Sequence, residues 1–98
     1  MKTLTIIGRR WFRRGYGGTY HTSQIIIDGK TVGKTLEQYG YGDQYIWTAF
    51  EYMAANNLLP EPLKRYSNGG SEAIWQYCER LGITYTAEAI DVPREKDL

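Results

Sequence analysis

Four arginines, Arg9, Arg10, Arg13 and Arg14, interleave with Trp11 and Phe12 in the run GRRWFRRGYGGTY at residues 8–20. A guanidinium carries a permanent charge on a flat face that stacks and forks onto phosphate, while indole and phenol rings offer area for a base to lie on. Interleaved on one surface, these groups suit a polyanion that carries aromatic bases. Alternate residues of an extended strand project together, so Arg9, Trp11 and Arg13 share one side. Arg14, Tyr16 and Tyr20 follow around a glycine-rich bend, and these six residues form the candidate ligand-binding set. Two other readings of the same stripe stay open. Trp11 is covered by a partner protein with arginines at the rim, or it is covered by the chain's own helices.

Other residues capable of chemistry lack partners. Gly15-Tyr16-Gly17-Gly18 has no Lys-Ser/Thr ending and is followed by a strand pattern rather than a helix, so it reads as a hairpin turn and not a phosphate loop. His21 is the single histidine, with no acid, serine or cysteine at a telling spacing, and reads as a hydrogen-bonded structural residue. Cys78 falls in a helical apolar stripe, as a small buried hydrophobe. Glu88 and Asp91 fall on opposite faces of a regular strand, so they make no acid–base pair. The expectation is a binding protein without enzymatic activity, metal or cofactor. The aromatics Tyr41, Tyr45, Trp47 and Tyr52 belong to a group of six in residues 39–52, at the opening and along the first helix, and are candidate protein contacts; self-association is a consequence of so sticky an element.

The elements that position these groups follow from periodicity. Residues 3–13 alternate as a strand, residues 15–18 turn, and Thr19 to Ile27 form a second strand. Asp28-Gly29 is a type I′ hairpin signal, because both central residues of that turn need positive φ. A third strand runs from Lys30 to about Glu37. A bend at 15–18 pairs Phe12 with His21 and Ile6 with Ile27, and the Asp28-Gly29 turn pairs Ile25 with Val32 and His21 with Leu36. Both registers collect Ile6, Phe12, His21, Ile25, Ile27, Val32 and Leu36 on one apolar face, with Arg10 and Lys34 as intruders that must reach past its edge. Arg9, Trp11, Arg13, Tyr20, Thr22, Gln24, Thr31 and Thr35 collect on the other.

Asp43 is the expected N-cap of a helix to about Asn57, occupying the amides that an anion would otherwise find there. Ser71 is the expected cap of a second helix that ends at Arg80 and Gly82. A last strand covers about Ile83 to Val92 and is placed beside the first strand, a free edge of the meander. The order β-β-β-α-α-β predicts an α+β fold of two layers, a mainly antiparallel four-stranded sheet with two helices on one face. Residues 1–98 form one domain, with a flexible, solvated tail from about residue 93.

Charge is unevenly distributed. Residues 1–34 hold seven Lys or Arg against Asp28 alone, giving +6, while residues 35–98 hold five basic and ten acidic side chains, giving −5. A basic end joined to an acidic remainder matters more for partner choice than the net +1. With 42% hydrophobic and 23% charged residues, the composition is that of a globular chain. One cysteine cannot form an internal disulfide, which fits a reducing cytoplasm. No apolar run approaches the roughly 18 residues of a membrane span, and the first residues lack the pattern of a signal peptide.

The motifs GRRWF, GGTYH and YGYGDQYIWTAFEY, with the DVPREKDL end, resemble a family of small uncharacterised proteins encoded by bacteriophages and prophages. The resemblance runs from about residue 5 to 98 and carries no assigned activity, cofactor or site. It implies expression in an infected bacterial cytoplasm and work done by binding. The leading expectation is a surface for single-stranded nucleic acid or a nucleotide. The alternatives are a protein-binding inhibitor of a host or defence factor, and a sponge for a cyclic nucleotide signal.

Overall fold

The computed structural model describes residues 1–15 and 17–98. Strand β1 (Thr3–Arg13) and strand β2 (Gly18–Ile27) pair antiparallel, from Leu4 opposite Ile27 to Arg13 opposite Gly18. Asp28 and Gly29 then turn the chain at φ 50° and 81° into β3 (Lys30–Lys34), as the Asp-Gly signal requires. Asp28 also closes the start of the sheet. Its Oδ1 accepts from the amides of Lys2 at 2.7 Å and Thr3 at 2.9 Å. A short strand β4 (Gln38–Tyr39) pairs with the far end of β2. Helices α1 (Gln44–Ala55) and α2 (Ile74–Leu81) follow, then β5 (Thr84–Asp91), which adds beside β1 in parallel. The strand order is β3-β2-β1-β5, mostly antiparallel, with both helices on one face: the two-layer α+β fold expected, carrying one more short strand.

The register departs from expectation twice. Gly18 joins the strand, so Phe12 faces Thr19, Ile6 faces Ile25 and Leu4 faces Ile27. That slip is two residues, an even number, and no side chain changes face. The second departure does change faces. Ile26 pairs with Thr31 but Ile25 pairs with Gly33, leaving Val32 as a bulge. Beyond the bulge, Lys34 moves to the side away from the helices, where no intruding charge needs explaining. Thr35 is buried instead of outward, its hydroxyl accepting the Ser23 amide at 2.9 Å. Val32 and Leu36 leave the core, the latter 83% exposed. Phe12 lies on the helix side as expected, yet is 58% exposed because the sheet outruns the helices there.

What sets the reach of the helical layer is a pair of glycines. A Cβ on Gly8 would lie 2.3 Å from the Tyr45 ring, and one on Gly33 would lie 2.6 Å from the Tyr52 ring. Gly8 and Gly33 are two strands and two residues apart, roughly 12 Å on a sheet. Tyr45 and Tyr52 are two helical turns apart, roughly 10.5 Å. Helix α1 therefore crosses the sheet obliquely, with each tyrosine seated where a strand has no side chain. Leu4, Ile6, Ile25, Ala49, Phe50 and Met53 fill the space between, and Tyr77 of α2 meets Phe50 edge to face at 5.6 Å.

Asp43 is the N-cap residue of α1 as expected, but its side chain makes no cap bond among the described residues. Helix α2 begins at Ile74 rather than after Ser71, and the Gln76 side chain returns to the Ala73 amide at 2.9 Å. Glu72 is 3% exposed and forms a two-pronged pair with Arg80, while its Oε1 also accepts the Lys64 amide at 3.0 Å. Arg80 lies over the Tyr77 ring, and the Tyr77 hydroxyl donates to the Glu61 carbonyl at 2.6 Å. This network, invisible in the periodicity, ties down the long connection between the helices. Glu72 in this network, and Asp28 at the sheet's start, predict a fold that weakens in acid. The Arg80 hydrogen bonds hold the Glu72 carboxyl below its ordinary 4.5, and the Thr3 and Lys2 amides hold Asp28 below 3.8. Both carboxylates stabilise the folded chain fully above their ordinary values, and that contribution is lost as pH falls through the depressed ones. Urea midpoints measured from about pH 6 to about pH 3 should decline below about pH 4.5, and Glu72→Gln should flatten the decline while lowering the plateau.

Candidate nucleic-acid interface

The helix-free face of the sheet carries the predicted stripe. Trp11 of β1 pairs directly with Tyr20 of β2, and Tyr20 pairs with Tyr39 of β4. Their rings form a row, Trp11 to Tyr20 at 6.0 Å and Tyr20 to Tyr39 edge-on at 5.4 Å. Trp11 and Tyr20 are half-buried by one another and their neighbours, whereas Tyr39 is 71% exposed. The indole is therefore not sealed inside the molecule. Tyr39 is the member that the sequence does not reveal: its place depends on the irregular segment that returns the chain to β2 after the bulge.

The arginines divide between the two faces. Arg9 and Arg13 flank Trp11 on its own side, with Arg9 Nη1 donating to Gln24 Oε1 at 3.0 Å. Gln24 is held in turn, its Nε2 donating to Thr31 at 2.9 Å, so the Arg9 guanidinium is pre-positioned. Arg14 is exposed at the bend. Tyr16, the remaining predicted member, lies outside the described residues. Arg10 points to the helix side, donating from Nε to Asp91 at 2.9 Å and from Nη1 to the Gly42 carbonyl at 3.2 Å. Phe12 and Tyr41 stand exposed over it, around a cleft of about 430 Å³. The end of the β1–β2 ribbon thus presents aromatic and cationic groups on both faces.

The last residues bound this surface. From Asp91 the chain turns back across the helix-free side, where the 3-10 turn Glu95–Asp97 lies against β1. The Leu98 carbonyl then accepts from Lys34 Nζ of β3 at 2.9 Å. The crossing lies over β1, and the long Lys34 side chain reaches from β3 to meet its end. Thr22, although on this face, is 5% exposed, and its hydroxyl has no partner among the described residues. The open platform is accordingly the region beyond the crossing, around Trp11, Tyr20 and Tyr39.

Of the four expected protein-contact aromatics, Tyr41 and Trp47 are exposed and Tyr52 is half-buried against Gly33. Tyr45 is instead a core residue, 4% exposed, because Gly8 opens a seat for its ring. His21 is sealed at 1% exposure between the layers. Its Nδ1–H donates to the Gly40 carbonyl at 2.9 Å and its Nε2 accepts the Thr48 hydroxyl proton at 2.8 Å, an assignment set by the carbonyl's inability to donate. The Cys78 thiol is buried in α2 and pushed up to about 11, which leaves it unreactive. Among the described residues, no cluster of His, Cys, Asp and Glu could hold a metal ion, and no helix is long and apolar enough to cross a membrane. No protein-family model, curated protein or solved structure matches the chain.

Proposed function

We propose that this protein binds single-stranded nucleic acid, with bases on the Trp11–Tyr20–Tyr39 row and phosphates against Arg9, Arg13 and Arg14. The observation that supports the reading is the ring row on the helix-free face with arginines on the same strand. A row open along its length, without walls, takes successive nucleotides of a chain more readily than one mononucleotide. Binding rather than catalysis fits the consumed state of the reactive groups. His21 is sealed, Cys78 is neutral, and the Ser23 hydroxyl donates to the Tyr45 carbonyl at 2.6 Å. In this reading the protein works in the cytoplasm of a phage-infected bacterium.

Fluorescence anisotropy with a labelled single-stranded oligonucleotide tests the proposal. Log affinity should fall with log salt by about 0.7 for each phosphate engaged, so by roughly 2 if three arginines act. Trp11→Ala should weaken binding about 5- to 150-fold, the value of one lost stacking partner, with an unchanged circular dichroism spectrum. No binding at low salt, or equal binding by Trp11→Ala, would refute it. A stoichiometric host protein captured through the same residues after nuclease treatment would instead favour the inhibitor reading.

A further inference from the structure

The two edges of the sheet are unlike. Edge β3 is short, bulged at Val32 and flanked by Lys30 and Lys34, which are devices that discourage pairing with another chain. Edge β5 has none of them. It runs from Thr84 to Asp91 without Pro, Gly or Lys and follows β1 in unbroken register. We propose that β5 pairs antiparallel with β5 of a second copy of this chain, with Ala87 on the two-fold axis.

The backbone dictates which groups are available. Thr84 N donates to Lys2 O at 3.0 Å and Val92 N donates to Arg10 O at 2.8 Å, so even-numbered residues of β5 turn their amide and carbonyl towards β1. Tyr85, Ala87 and Ala89 therefore turn theirs outward, where no described residue bonds them. In an antiparallel pair, such outward residues form the hydrogen-bonded partners. Placing Ala87 opposite its own copy makes Tyr85 face Ala89 on the helix side. On the other side, Thr86 faces Glu88 and Thr84 faces Ile90. Each pairing is complementary: a large ring against a methyl, a carboxylate against a hydroxyl, a β-branched pair.

The neighbouring registers are worse. Centring on Glu88 sets two carboxylates face to face, which is destabilising. Centring on Thr86 shortens the overlap and leaves Ile90 unpaired. Ala87 is exposed on the helix side, so no helix of this chain blocks a partner strand there. A two-fold axis through the sheet keeps the helices of both copies on one face and both Trp11 rows on the other. Trp11 lies five residues beyond Ile6, the β1 neighbour of Ala87, so the two rows would stand roughly 35 Å apart.

Sedimentation velocity should give twice the chain mass for the wild type and a monomer for Ala87→Pro. The proline removes an amide that bonds no described residue, so its circular dichroism should be unchanged. Ala87→Cys should form a disulfide-linked dimer on oxidation, because facing Cα atoms in a hydrogen-bonded pair lie about 5.5 Å apart. Glu88→Cys should not, since its copies would be roughly 8 Å apart, beyond disulfide reach. The buried Cys78 does not compete. A monomeric wild type at the highest attainable concentration would overturn the proposal. So would a dimer that survives Ala87→Pro, or one that cross-links through Glu88→Cys in place of Ala87→Cys. These outcomes are independent of nucleic-acid affinity.

Discussion

Gly8→Ala is expected to lower stability by about 3 kcal/mol, and Gly8→Val to leave too little fold to measure. The added methyl would meet three atoms of Tyr45, its Cγ at 2.3 Å, Cδ2 at 2.4 Å and Cβ at 2.8 Å. None of these can swing aside. They sit at the root of a buried side chain, and the Tyr45 carbonyl is tied to the Ser23 hydroxyl at 2.6 Å. Relief requires lifting the start of α1 off the sheet, which opens the contacts of Ala49 and Phe50 with the strands. Gly33→Ala provides the contrast. Its methyl would meet the outer end of Tyr52, at Cε1, Cζ and the hydroxyl, on a half-buried ring that can move. Urea denaturation of the two alanine variants should rank Gly8 well above Gly33; equal costs would show that α1 is not seated on Gly8.

His21→Leu is expected to cost about 3 kcal/mol and to disturb the interface as well as the core. Leucine fills much of the space but leaves the Gly40 carbonyl and the Thr48 hydroxyl without their ring partners. Gly40 stands between Tyr39 and Tyr41, and its amide donates to the Thr19 carbonyl at 2.9 Å. Loss of the histidine therefore loosens the segment that sets Tyr39 beside Tyr20. Hydrogen exchange at the Gly40 amide should accelerate, and oligonucleotide affinity should drop even though His21 touches no ligand. His21→Gln, which keeps a donor and an acceptor, should recover part of both. Unaltered exchange at Gly40 would mean that Thr19 alone holds the segment.

The local features of the fold were legible because they depend on neighbours in the chain. β1 begins and ends at Thr3 and Arg13 as its alternation predicts, and Asp28-Gly29 turns as its chemistry demands. Trp11 and its flanking arginines were legible for the same reason, since strand periodicity alone assigns them a side. Features that depend on distant partners were not. The bulge at Val32 exists where Tyr52 of α1 needs the Gly33 seat and Thr35 reaches Ser23, both contacts made across the fold. Tyr45 read as a sticky surface ring because the glycine that receives it lies 37 positions earlier, counting from 8 to 45. The Glu72–Arg80 pair was hidden because the two side chains are brought together only once α2 has formed.

The return of the last residues across the sheet has a practical consequence for anyone producing the protein. An affinity tag fused after Leu98 would emerge beside Lys34, on the very side where the aromatic row lies, and would compete with whatever docks there. Met1 sits ten residues before Trp11 along β1, roughly 33 Å away, so an amino-terminal tag leaves that surface unencumbered.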